Sequence, residues 1–324
     1  MDARVTKKRI GQLLSYDWLK IVALIVAAIV VWSIVFSMTA TRLNQAQTFT
    51  VYVYKGIVPE RQFYTKTVSK DEYASGFSYD VIETNIVDLA SAGDEAYTLL
   101  TAHLGVNEGN VLFVSPQETG SVYTDENGEE RKLTYVQDAV SRTYTGVLSL
   151  GSHEGNTKGL YFDKTEAYLS NYFADITDET TFDAAAAERD FRARIAAQKD
   201  KRYKNETQIL QGVADEIKRI KGYRENYFAV KGYLESGVIA LQETTVYMND
   251  GKNLLPVTGY FSINLCPDER MASLKDVIAY VDGDGKTTAK DMQLILLDQL
   301  KDEYEYGLYE NYAFIRAIVE SCVA

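Results

Sequence analysis

The sequence predicts a mixed α/β body behind one apolar segment of membrane length, and three observations lead there. Residues 21–40, IVALIVAAIVVWSIVFSMTA, run for twenty positions without a charge, a Pro or a Gly. A helix of that length spans ~30 Å, the thickness of a bilayer's hydrocarbon core. Short β-branched, aromatic or wholly apolar runs at 49–54, 79–89 and 111–114 alternate with a helical segment, the pattern of parallel strands joined by helices. From 183 to 234 the chain is rich in Ala and carries apolar residues three and four apart, the pattern of long amphipathic helices.

The apolar segment also sets an expected orientation. Arg4, Lys7, Lys8, Arg9 and Lys20 precede it against Asp2 and Asp17, and only Arg42 follows closely. The positive-inside rule then places the N-terminus in the cytoplasm and the rest outside, with Trp18 at the inner boundary. A cleaved signal peptide has a shorter apolar region of ~7–15 residues, and Met38 is a poor −3 residue for cleavage after Ala40. The expectation is a single-pass cell-membrane protein: a cytoplasmic tail at 1–20, a transmembrane helix at 21–40 in contact with the lipid bilayer, and an extracytoplasmic domain at 41–324.

The 324 residues carry a net charge of −12. The first twenty hold five basic and two acidic groups, leaving 29 basic against 44 acidic groups beyond them. So acidic an exterior argues against a nucleic-acid partner and against adhesion to anionic lipid. Cys266 and Cys322 are the only cysteines. A disulfide in an oxidising compartment and two buried free thiols are both open readings. Both tryptophans, Trp18 and Trp32, lie in or beside the span, so any ring stacking on a ligand falls to the 24 tyrosines.

In chain order, 49–54 reads as a strand ended by Lys55-Gly56, and 79–89 as a second. Ser91-Ala92-Gly93-Asp94 is expected to cap a helix over 95–104 with Tyr97, Leu100 and Leu104 on one face. The run 111–114 suits a strand covered on both faces. Residues 124–132 read as a hairpin with Asn127-Gly128 at its tip, 141–150 as strand-like, and 165–173 as helical. In the helical middle, Arg189, Arg192, Arg194, Lys199, Lys201, Arg202 and Lys204 read as a solvated basic face. Gly212, Gly222 and Gly232 are expected to weaken the second long helix and to break it. Strands follow at 244–248, turned by Asn249-Asp250-Gly251, and at 259–265. A helix is expected at 274–280, a strand at 292–297, and a closing helix with Tyr304, Leu308, Tyr312, Ile315, Val319 and Cys322 on one face.

Motifs for chemistry are sparse. Asp282-Gly283-Asp284-Gly285 with Asp291 has part of a calcium-loop spacing, but Tyr280 stands where the first carboxylate belongs and the terminal bidentate Glu is missing. His103 and His153 have no motif neighbours for hydrolysis or zinc binding. Asn205-Glu206-Thr207 fits a glycosylation sequon. No phosphate loop or dinucleotide fingerprint is present. The expectation is a non-enzyme with no cofactor and no metal.

The segment 92–116, AGDEAYTLLTAHLGVNEGNVLFVSP, resembles the stretch of type-2 extracytoplasmic solute-binding proteins in which a helix meets a glycine and enters the next sheet strand. The tail from 260 to 319, with YFSINL, MQLILL and the last helix, is similar to the end of such proteins. The chain also looks like the uncharacterised single-span surface proteins of Firmicutes, which are Gram-positive. The resemblance implies a periplasmic-binding-protein-like domain with a helix-rich insertion at about 165–236, serving as a binding module for a small molecule or peptide. Members of that group in Gram-positive bacteria are usually lipoproteins, whereas no Cys lies directly after this span; and Glu108-Gly109-Asn110 replaces the group's acidic-Pro-acidic element. The alternative is an accessory subunit that docks on a membrane protein partner. Independently, ligands of open α/β sheets sit beyond the carboxyl ends of the strands. That rule selects Tyr54, Lys55, Ser115, Gln117 and Asn264 as candidate ligand-binding residues.

Overall fold

A computed structural model describes residue 11 and residues 18–39, 43–58, 77–124, 129–151, 160–249 and 254–323. The chain forms two compact units, Met1–Leu43 and Asn44–Ala324. In the first, α1 (Trp18–Thr39) has a mean hydropathy of 2.7 over Trp18–Phe36 and none of that stretch is buried. It is long and apolar enough to cross a membrane, and a signal sequence shares those properties.

The second unit is built on a six-stranded mixed sheet. β1 (Thr48–Val53) lies between β2 (Glu83–Asp88) and β3 (Val111–Val114) and is parallel to both, as the apolar run 111–114 predicts. Three antiparallel pairings then extend the sheet: β10 (Gln293–Leu296) on β3, β7 (Leu254–Asn264) on β10, and β6 (Ala240–Asn249) on β7. Two short hairpins stand apart from this sheet, β4 (Glu118–Thr124) with β5 (Glu130–Thr134), and β8 (Tyr280–Val281) with β9 (Thr287–Thr288).

Strand alternation divides the core in two. Val51, Val53, Val111, Phe113, Leu294 and Leu296 face one cluster, which α4 (Tyr161–Leu169), α5 (Ala184–Gln198), α6 (Glu206–Glu235) and α7 (Glu310–Cys322) complete. Tyr52, Tyr54, Leu112, Val114, Ile295 and Leu297 face the other, closed by α2 (Ala96–Gly105) and α3 (Tyr135–Thr143). Helices on both faces explain why β3 and β10 are buried at every position. Phe314 of α7 fits between Phe49 and Phe113, with ring centres 5.1 and 6.0 Å away. Burying one such ring contributes about 2–3 kcal/mol.

Several local expectations give way. The strand-like expectation for 141–150 holds only in its second half, where Val147 and Ser149 make isolated β-bridges to Leu297 and Leu160; before it, Thr134 and Gln137 form a reciprocal capping box that starts α3 at Tyr135, and a 3-10 turn at Tyr144–Gly146 follows. The segment 91–94 gives α2 no side-chain cap. It is a 3-10 stretch kinked at Gly93, where φ is 57°, and Ser91 bonds back to Asp88. α6 runs unbroken for 30 residues. Gly212 is there for close approach, because a Cβ would fall 2.5 Å from both Phe191 and Tyr203. The helix expected at 274–280 is instead a 3-10 segment, Glu269–Asp276, followed by β8. The hairpin tips at 127–128 and 250–251, and His153, lie outside the described residues.

Candidate functional site

The residues selected at the strand ends do gather at one end of the sheet. Register sets Val114, Gln293 and Asn264 side by side, and the Tyr54 amide donates to Phe113 O at 2.9 Å. The chain itself fills that end. Tyr54 is buried, and its hydroxyl donates to Asp138 Oδ2 at 3.0 Å from the start of α3. Burial first, and the neighbouring Asp138 next, push its pKa upward. Ser115 is fully buried, its hydroxyl without a partner, under Gly56 and Tyr135. Gln117 donates its side-chain amide to Val281 O, and its carbonyl accepts the Tyr135 amide at 2.9 Å. Asn264 spends both halves of its amide, donating to Asp291 Oδ1 at 2.8 Å and accepting from the Cys266 amide at 3.0 Å. Lys55 stays partly exposed, 3.7 Å from Asp94.

The other sequence candidates are also occupied. Asp282 Oδ1 accepts the amides of Asp284 and Lys286 and so holds its own turn. No metal-binding cluster of His, Cys, Asp and Glu occurs among the described residues. His103 pairs with Glu108 at 2.9 Å, and Asn205 caps α6 through the Gln208 amide. Cys266 and Cys322 are buried free thiols, and burial pushes Cys266 up to about 11.

A different place has the features of a site. Tyr168 of α4, Arg194 of α5, Glu216 and Arg219 of α6, and Tyr306 and Tyr309 of the 3-10 segment Asp302–Tyr309 line a cavity of about 220 Å³. Glu216 is the shared anion. It accepts from Arg194 Nη2 at 2.8 Å, from Tyr79 Oη at 3.0 Å and from Arg219 Nη2. Burial pushes the Glu216 carboxyl up, but the two guanidiniums hold it below the ordinary carboxylate value. Both guanidiniums also lie 4.3 Å from the centre of the Tyr306 ring, within cation–π range. Tyr306 is in turn held by Asp80, whose other oxygen is bound by Arg202 at 2.8 Å. Tyr168 stacks on Tyr309 at 4.4 Å.

The site is not electrostatically closed. Arg219 is 4% exposed, yet its Nε and Nη1 have no hydrogen-bond partner. Two guanidiniums share one carboxylate. The nearby buried Glu310 is committed to Tyr223 Oη at 2.6 Å and the Ser78 amide, and burial raises its pKa toward the neutral form. An unpaired buried donor on a charged group is costly, and here the guanidinium lies against the rings of Tyr306 and Tyr223, 4.3 and 5.3 Å from their centres.

Sequence reasoning missed this constellation. The available signal was Glu216 and Arg219 intruding on the buried face of α6 beside Val213, Ile220 and Tyr223. Within the basic run of 189–204 the expected solvated face holds for the exposed Lys199, Lys201 and Lys204, whereas three arginines are paired: Arg192 with Glu188 and Glu206, Arg194 with Glu216, and Arg202 with Asp80 and Asp200.

No family model, curated protein or solved structure matches the chain.

Proposed function

We propose that the chain is a membrane-anchored binding module, with its N-terminus cytoplasmic and its body extracytoplasmic, that holds a small molecule without transforming it. One observation carries the reading: a cavity of about 220 Å³ is walled by Tyr168, Tyr172, Tyr306 and Tyr309 and has the charged cluster of Arg194, Glu216 and Arg219 in its lining. Ligand pockets commonly combine aromatic walls with a few convergent polar groups. The parallel β2-β1-β3 order, with helices on both faces, supports a binding-protein-like architecture. The length and hydropathy of α1 support the anchor.

The test is thermal unfolding of the full chain in lipid nanodiscs against sugars, free amino acids, short peptides and simple anions. The reading expects an upward shift with at least one class, lost in Arg219→Met. No shift with any class contradicts it. Protease protection in membrane vesicles tests the orientation, and digestion of the body from the cytoplasmic side overturns it.

A second reading is an accessory subunit that docks on a membrane protein partner. It is favoured by the strand ends, where Tyr54 and Ser115 are covered by the chain itself.

A further inference from the structure

One end of the sheet carries an apolar projection. β1, β2 and β3 run the same way, β10 runs against β3, and β7 runs against β10, so β7 begins at the same end as β1. Register sets Phe261 level with Val51, through Val111 and Leu296, and hence Thr258 about level with Thr48. Residues 254–257 of β7 and their partners 246–249 of β6 therefore project ~13 Å past the start of β1. α3 braces this hairpin: Ser141 Oγ accepts the Tyr247 amide at 3.3 Å, and Gln137 donates to Thr245 O at 3.0 Å. Yet Leu255 is 48% exposed, and Pro256, which pairs with Tyr247, is exposed as well. TTVYMN at 244–249 and NLLPVTGYFSIN at 253–264 hold no charged residue, although the chain beyond residue 20 carries 29 basic and 44 acidic groups. An apolar projection of this kind gains free energy only where something other than water meets it. Ile82 before β2 and Val106 before β3 are exposed at the same end.

The entry of the chain fixes what lies opposite that end. α1 ends at Thr39, and the body begins at Asn44, whose capping box with Gln47 leads into β1 at Thr48. Those few steps of chain reach ~18 Å at most. A bilayer's headgroup zone is ~5–7 Å deep on each side. An anchored chain thus keeps the β1 end of the sheet at the lipid surface, and the hairpin projects from that same end. Glu83 and Glu108, exposed there, oppose an anionic surface and select a zwitterionic one. Resting on the anchored reading above, we propose that the β6–β7 hairpin docks on the zwitterionic lipid surface from which the chain emerges, with Leu255 and Pro256 at headgroup depth and Tyr247 beside them. Tyrosine rings are enriched at that depth, where one end of the ring is apolar and the other wet.

The experiment uses the full chain reconstituted in phosphatidylcholine vesicles, with an environment-sensitive dye on Leu255→Cys, on Pro256→Cys or, as the reference, on Val281→Cys. Cys266 and Cys322 are buried, so the new thiol takes the dye. Val281 is exposed and follows Tyr280, which bridges Ile57 beyond the carboxyl end of β1. The expected result is that headgroup spin-labelled lipid quenches the dye at 255 and 256 about threefold more than at 281, and that aqueous iodide does the reverse. Phosphatidylserine vesicles should give weaker lipid quenching at 255, and stronger quenching there overturns the zwitterionic assignment. Circular dichroism checks each variant, and Pro256→Cys keeps the test alive if Leu255→Cys does not fold. Iodide quenching at 255 and 256 equal to that at 281, in a chain that resists alkaline carbonate extraction, overturns the docking and spares the anchor. Shielding from both quenchers means that a second copy covers the hairpin, and it too overturns the docking. Release of the chain from the vesicles by carbonate overturns both the docking and the anchor.

Discussion

Two ends of the same body are rich in tyrosine and buried polar groups, and they differ in how far those groups are satisfied. At the carboxyl ends of β1 and β3, Tyr54 binds Asp138, Asn264 uses both halves of its amide, and Gly56 lets Ser115 and Tyr135 close over the crevice. Between the helical middle and the Asp302–Tyr309 segment, a cavity stays open and Arg219 keeps two donors unused. The first end has been absorbed into the fold. The second retains a charge that the fold alone does not complete. Topology points to a crevice, but satisfaction of polar groups decides whether the crevice is a site.

That contrast can be broken most severely at Glu216. Glu216→Gln leaves two buried guanidiniums without their carboxylate, and the expected loss is about 3–5 kcal/mol in urea unfolding of the full chain. A loss under about 1 kcal/mol would mean that the cluster is far better hydrated than its burial indicates. At the closed end the largest effect belongs to Gly56→Ala. There φ is +83°, and a Cβ would stand 2.6 Å from Ser115 Oγ and 2.8 Å from the Tyr135 ring. The expected cost is about 2–3 kcal/mol, read from the same unfolding curves. Full stability in that variant would show that α3 does not sit tightly over the strand ends.

Tyr54→Phe is milder. Asp138 keeps Arg142 at 2.6 Å, so removing one hydroxyl should cost about 1 kcal/mol near neutral pH. The pH dependence has a defined sign. The folded Tyr54 pKa is raised, so the stability it contributes is fully present below the unfolded value of about 10 and is lost as pH rises past it. The gap between wild type and Tyr54→Phe should therefore narrow above pH 10. A gap that widens there would contradict the burial of the Tyr54 hydroxyl.

The sheet was largely legible before any coordinates. The run 111–114 is apolar throughout because both its faces are covered, and 49–54 alternates between two cores. MQLILL at 292–297 likewise becomes a central strand. What escaped depends on contacts far apart in sequence. The Thr134–Gln137 capping box is a local signal that sequence reasoning passed over, and the helix it starts takes the first three residues of the expected 141–150 strand. Gly212 looks like a helix breaker until Phe191 and Tyr203 are seen against it. The cavity draws on residues from 168 to 309, so no spacing rule could gather them. Glu216 and Arg219 were visible as charges on an apolar stripe, but only the fold shows that they share a buried cluster with Arg194 and Tyr306.

The central claim is that Arg219 is kept for a ligand and not for the fold. It is tested most directly by the equilibrium unfolding midpoint of Arg219→Met in the full chain without ligand. Removing a buried guanidinium with two unmet donors, while Arg194 and Tyr79 still hold Glu216, should leave stability within about 1 kcal/mol of wild type or raise it. A loss of about 3 kcal/mol or more, the size expected for breaking a structural ion pair, would contradict the account.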